Sequence, residues 1–105
     1  MEKVSTIDIS MQLIGISGDS KATALVAIKK AKSGDFDKAW ELCNTAKEKL
    51  TEVHKIHAEI IQTEAAGKNY DINTLYIHAQ DHFTSAMIIN DLAENIIELY
   101  ELNKK

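Results

Sequence analysis

Residues 75–87 read LYIHAQDHFTSAM, and within them His78, Asp81 and His82 stand at i, i+3 and i+4. On a helix that spacing turns all three side chains toward one side. Polar groups among packing residues cost free energy unless something pairs with them, so the three either face solvent or form a site. A neutral imidazole near its ordinary pKa of about 6.5 is a good nucleophile at neutral pH and can carry a phosphoryl group. The same two histidines have the H-x-x-x-H spacing that chelates zinc from one helix, with Asp81 or His57 needed to complete the set. A third reading leaves them as half-buried, hydrogen-bonded packing residues. The paired E-x-x-H motifs of carboxylate di-metal bundles do not occur.

The elements that must position these residues are helical. The chain has no proline and 4 glycines. Gly34 in KSGDF and Gly67 in AAGKNYD each follow an alanine- and lysine-rich stretch, as C-terminal cap glycines do. Asp35 and Asp71 then stand ready to cap the helices that follow. In the second segment Phe36, Ala39, Cys43, Ala46, Leu50, Val53, His57, Ile60 and Glu64 alternate spacings of three and four, a stripe of about four heptads. Cys43 reads as a small core residue on that stripe. The third segment carries two apolar stripes: Ala79, Phe83, Ala86, Ala93, Ile97 and Tyr100, interrupted by Asn90, and Leu75, Ile89, Leu92, Ile96 and Leu99. Apolar residues on two sides require cover on two sides. In the first segment Gly15 and Gly18 each cost about 1 kcal/mol relative to alanine. They leave two readings open: a break near Gly18 with Asp19 or Ser20 capping a restart, or a continuous helix that a neighbour or ligand can approach closely. The fold class is all-α, an antiparallel three-helix up-down-up bundle with helices at about 7–33, 36–66 and 71–103 in a single domain of 105 residues.

Counting outward from a second turn centred near Asn69 puts His57 level with Asp81, with the glycine-bearing part of helix one near the same height. His57, His78, Asp81 and His82 would then form one polar layer, while His54 faces solvent. Thr74, Asp81, Ile88, Asn95 and Leu102 recur every seven residues, as do His78, Ser85, Leu92 and Leu99 beside them. Together they make a seam on which third helices from several subunits can form a parallel coiled coil. Copies of Asp81 would meet at its axis, where two carboxylates about 4 Å apart repel by about 4 kcal/mol at an effective dielectric of about 20. Such a ring calls for a cation, shared protons or water, and a hard divalent ion with oxygen ligands suits it.

Bulk composition narrows the function classes. A formal charge of −4 argues against general nucleic-acid binding. No run of about 18 apolar residues is present to span a membrane, and MEKVSTIDISMQLIG lacks the features of a signal peptide. A single cysteine fits a reducing compartment, so the expected location is cytoplasmic.

The chain resembles, over essentially its whole length, the lactose/cellobiose-type IIA component of the bacterial phosphoenolpyruvate-dependent sugar phosphotransferase system. The resemblance rests on GDSKATALVAIKKAKSGDFDKAWEL, on VHKIHAEIIQTEAAG, and most specifically on IHAQDHFTSAMIINDLAENIIELYE with its HAQDH motif. It implies a homotrimer of three-helix bundles, with His78 as the phosphorylated histidine and phosphate on its Nε2. It also implies that Asp81 binds a single Mg2+ shared by the trimer, with Gln80 and His82 shaping the site. The phosphoryl group is expected from the histidine phosphocarrier protein HPr, and is expected to leave for a cysteine of the IIB component during uptake of a β-linked disaccharide of the lactose or cellobiose/chitobiose class. The protein would thus be a phosphotransferase-system component working through a phosphohistidine, not a stand-alone enzyme. One departure is His57, where the family usually has glutamine. The alternatives are a non-catalytic helical assembly module whose polar layer sets register, and a zinc-binding bundle.

Overall fold

A computed structural model describes residues 2–104. Three helices account for most of them: α1 (Ile7–Lys32), α2 (Phe36–Ala65) and α3 (Thr74–Leu102). The run of partners fixes their directions. Between α2 and α3, Trp40 Nε1 donates to Glu101 at 2.7 Å, Lys47 pairs with Glu94 at 2.9 Å, and His57 meets Gln80 at 2.6 Å, so these helices are antiparallel. Between α1 and α2, Ser20 Oγ donates to the Ala46 carbonyl and Lys49 pairs with Asp19, again antiparallel. The result is an up-down-up bundle in which α1 packs closely on both partners and α2 and α3 touch each other less.

The turns follow from local chemistry. Gly34 (φ 88°) and Gly67 (φ 111°) take the left-handed conformation that a Cβ disfavours. Asp35 accepts from the Lys38 N–H and caps α2. At α3 the expected cap is displaced by two residues. Asn73, not Asp71, accepts from the Tyr76 N–H at 2.9 Å, and the helix starts at Thr74 rather than 71. Asp71 is engaged elsewhere: its N–H donates to the Val4 carbonyl at 2.9 Å, while the Val4 N–H donates to Asn69 at 2.7 Å. This parallel bridge between Val4 and Tyr70 is the only extended pairing among the described residues. Thr6 Oγ1 adds a bond to the Asp71 carbonyl at 2.8 Å, and Asn73 Nδ2 reaches both Thr6 Oγ1 and the Asp71 carboxylate.

Helix α1 runs without a break through Gly15 and Gly18. Asp19 and Ser20 therefore cap nothing; Asp19 pairs with Lys49 and Ser20 is buried. A side chain at either glycine would meet nothing within 4 Å in the chain itself. Packing overrides the low propensity, because Leu13, Ser17, Ser20, Ala24 and Ala27 on the opposite face are fully buried.

The core is built from small residues at the Gly34 end, where Ala27, Ala31, Ala39 and Cys43 close around Ile97. It is built from large ones at the other end, where Leu13, Val53, Ile60, Tyr76 and Phe83 meet. Burial raises the pKa of the Cys43 thiol, with Lys47 pulling the other way, as befits a packing residue rather than a reactive one. Glu64, at the end of the α2 stripe, is exposed, and so is Tyr100 at the end of its α3 stripe. Between the two core halves, Asn90 is buried and donates to Ser20 Oγ at 2.9 Å and to the Ala86 carbonyl at 2.8 Å.

The shifted cap gives a test. Asn73→Ala removes the α3 cap and its link to Thr6, and should cost about 1–2 kcal/mol. Asp71→Ala keeps the backbone bridge and should cost less; urea denaturation of both variants decides the order, and the reverse order would contradict this geometry.

Candidate functional site

The second and third turns of α3 present His78, Asp81, His82 and Ser85 along one side. Lys21 of α1 comes up beside them, and the five line a shallow, open depression of about 400 Å³. His78 and Asp81 are exposed; His82, Ser85 and Lys21 are half-buried. The His78 and His82 rings meet edge to face with centroids 4.5 Å apart, and their Nε2 atoms lie 3.1 Å from each other. Lys21 Nζ lies 3.4 Å from His82 Nδ1 and donates to Ser85 Oγ at 3.0 Å. Ser85 Oγ in turn donates back to the Asp81 carbonyl at 3.0 Å.

His57 and Gln80 are not part of this cluster. The helix turns Gln80 away from His78 toward α2, where His57 Nε2 sits 2.6 Å from its Oε1. His57 also packs on Phe83, with ring centroids 4.6 Å apart. The single polar layer expected from counting is thus split by the Phe83 side of α3. His78, Asp81 and His82 share one flank, and His57 with Gln80 makes a separate contact at the same height. His54 is exposed and borders a different groove of about 220 Å³ with Leu50, Met87 and Asp91, which contains none of the HAQDH histidines.

Lys21 is the residue that sequence reading passed over. A lysine in the first helix is ordinarily a solvated charge, and only the axial register of α1 against α3 brings it to His82. Burial, then the neighbouring Lys21 charge and His78, hold the His82 imidazole below its ordinary pKa, while Asp81 pulls the other way.

For a metal, a single chain falls short. Among the described residues no three His, Cys, Asp or Glu side chains converge, so the zinc set of His78, His82 and a third group does not form within one chain. Asp81 offers an exposed carboxylate, a hard oxygen donor suited to a divalent ion if other copies supply the remaining ligands. The flank around it is also unpartnered: Ile88, Leu92, Leu99 and Leu102 are all more than half exposed. No helix among the described residues is long and apolar enough to cross a membrane.

Comparison with known proteins bears on this arrangement. Residues 8–101 match the family model described as PTS system, lactose/cellobiose specific IIA subunit. The chain is 42% identical over 93 residues to the lichenan-specific phosphotransferase enzyme IIA component of Bacillus subtilis (strain 168), covering 89% of this chain and 84% of that one. It superposes with a TM-score of 0.89 on the crystal structure of the PTS cellobiose-specific enzyme IIA from Bacillus anthracis, at 39% identity over 96% of this chain and 92% of the other. A IIA chain from solution structures of the IIA(chitobiose)–HPr complex matches with a TM-score of 0.82, 30% identity and full coverage of both chains.

The electrostatics predict a titration. Because the folded pKa of His82 is depressed, the neutral ring is the native form. Its contribution to stability is present above the unfolded value of about 6.5 and is lost as pH falls through the folded value. An NMR titration should give His82 a midpoint below 6.5 that rises in Lys21→Ala; a midpoint above 6.5 in the unaltered protein would contradict the assignment.

Proposed function

The chain belongs to the lactose/cellobiose-specific IIA family of phosphotransferase-system proteins, and on that premise we propose that His78 carries its phosphoryl group, on Nε2. The observation that carries this reading is the placement of an exposed imidazole in an open depression, its Nε2 3.1 Å from His82, with a lysine behind the second ring. A shallow site suits a residue that must meet two different proteins in turn. It does not suit one that must enclose a small substrate.

The chemistry is a displacement at phosphorus. The lone pair on His78 Nε2 forms the new P–N bond as the donor's bond to phosphorus breaks, its electron pair returning to the donor. In such transfers the protein chiefly positions the groups and stabilises charge on the equatorial oxygens. His82, one turn further along, can donate to a phosphoryl oxygen once His78 is modified. His78 lies too far into α3 for the helix dipole to contribute much. The IIA(chitobiose)–HPr complex, whose IIA chain shares this fold, supports HPr as the donor. The acceptor is a cysteine of a IIB component, and the work is done in the cytoplasm. Lichenan-, cellobiose- and chitobiose-specific relatives support a β-linked disaccharide as the transported sugar.

The protein acts as a homotrimer. Thr74, Asp81, Ile88, Asn95 and Leu102 with His78, Leu92 and Leu99 are exposed along one line of α3, and a parallel coiled coil of three such helices covers the apolar members. Three Asp81 carboxylates would hold one Mg2+ at the axis, where the ion offsets their mutual repulsion. Gln80 and His57 support the site from behind, through the α2–α3 contact, and His57 occupies the place usually held by glutamine in the family.

His78→Gln should remain folded and take up no label in a complete system driven by phosphoenolpyruvate; labelling at the wild-type level would sink the assignment. Asp81→Leu should abolish metal dependence and keep or tighten assembly, in the range of about 1–4 kcal/mol seen when buried charges give way to apolar residues. Sedimentation of that variant as stable monomers would count against the axial carboxylates.

A further inference from the structure

We propose that Lys21 is a positioning residue for the phosphoryl-accepting atom: acting through His82, it fixes which nitrogen of His78 carries the proton. This deepens the assignment of His78 as phosphoryl acceptor and rests on it.

Hydrogen-bond direction carries the inference. An ammonium group has three donors and no acceptor, whereas a neutral imidazole has one of each. Lys21 Nζ lies 3.4 Å from His82 Nδ1, so that nitrogen presents its lone pair and His82 carries its proton on Nε2. His82 Nε2 is 3.1 Å from His78 Nε2, so His82 donates and His78 Nε2 is the acceptor. The His78 proton then sits on Nδ1, and the lone pair is left on Nε2, which exchanges its bond from His82 for the bond to phosphorus. Each step removes one choice, and the only unambiguous group in the chain is the lysine.

Ser85 keeps the lysine in place. It accepts from Lys21 Nζ at 3.0 Å and passes its own proton to the Asp81 carbonyl at 3.0 Å, or to the His82 carbonyl at 3.2 Å, so all donors run in one direction. The half-buried ammonium is thus held between a hydroxyl and a ring nitrogen on the adjacent helix. Lys21 need not touch phosphate for this effect. When phosphate arrives, the His82 N–H that had faced the His78 lone pair is already aimed at the new group, with Lys21 still bonded behind it.

Lys21→Met and Lys21→Arg separate this from a structural role. Arginine is also a donor without an acceptor, while methionine is neither. Nitrogen-resolved NMR of the imidazoles near pH 8 should show His78 protonated on Nδ1 and His82 on Nε2 in the unaltered protein and in Lys21→Arg. Lys21→Met should give mixed tautomers on both rings, and a rate of phosphoryl uptake from phospho-HPr lower by about 2- to 10-fold, as the share of His78 with its lone pair on Nε2 falls to about a half or a tenth. Circular dichroism should show unchanged helix content; if Lys21→Met does not fold, Ser85→Ala, which frees the ammonium, should give the same tautomer mixing. Unchanged tautomers in the folded variant, or mixed tautomers with an unchanged rate, would overturn the proposal. If the unaltered protein accepted no phosphate on His78, the functional assignment would fall, while the NMR comparison would still decide whether Lys21 sets the tautomers.

Discussion

The buried amide of Asn90 sets the height at which everything else in the bundle sits. Its Nδ2 donates to Ser20 Oγ, and Ser20 donates onward to the Ala46 carbonyl at 2.7 Å, so one short chain of bonds joins α3, α1 and α2. Apolar packing between helices tolerates small slides, but a buried donor separated from its acceptor costs about 1–3 kcal/mol. Sliding any helix by one turn, about 5.4 Å, would break this node. The neighbouring contacts are alanines, Ala24, Ala46 and Ala93, all fully buried, which bring the backbones close enough for the node to form.

The chemistry of the surface follows from that register. Lys21 is the next residue after Ser20, and Ser85 and His82 lie one and two turns before Asn90 on α3. Once Ser20 is opposite Asn90, the lysine has few places to go except the flank carrying His82. A polar residue inside a core is usually read as a cost. Here it aligns a site on the outside of the bundle. The division of labour on α3 is equally strict: one face carries Ala79, Phe83, Ala86 and Ala93 into the core, and the next carries the histidines and the exposed aliphatic line.

Much of this was legible in the sequence because it is local. Gly34 and Gly67 mark both turns, Asp35 caps α2, and the three-four spacing of the α2 stripe leads to Ala39, Cys43, Ala46, Val53 and Ile60, all of them buried. The HAQDH histidines and aspartate share a flank because helical geometry leaves them no alternative. What was not legible depends on partners far away in the chain. Asp71 and Asn73 are equally good caps by type, and the choice between them is made by Val4, whose backbone engages Asp71. Asn90 looked like an interruption of a stripe because its partner Ser20 is 70 positions away. Gln80 and His57 fell on the far side of α3 because a count of levels gives height but not direction around a helix. The two glycines of α1 were undecidable from propensity, since the opposite, buried face determines whether the helix continues.

The clasp between residues 4–6 and 69–73 has a consequence for how the molecule opens. It closes a span of 65 positions with only a handful of bonds between two non-helical segments, anchored by the buried Thr6 and Tyr70. Such a contact is the natural starting point for unravelling that leaves the rest of the bundle intact. Loss of the clasp frees Asn73, and with it the first turn of α3, which lies directly below His78. Amide protection should therefore rise along α3 from Thr74 toward Asn90. His78 then stands on the slope between a loosely fastened end and a firmly fastened middle.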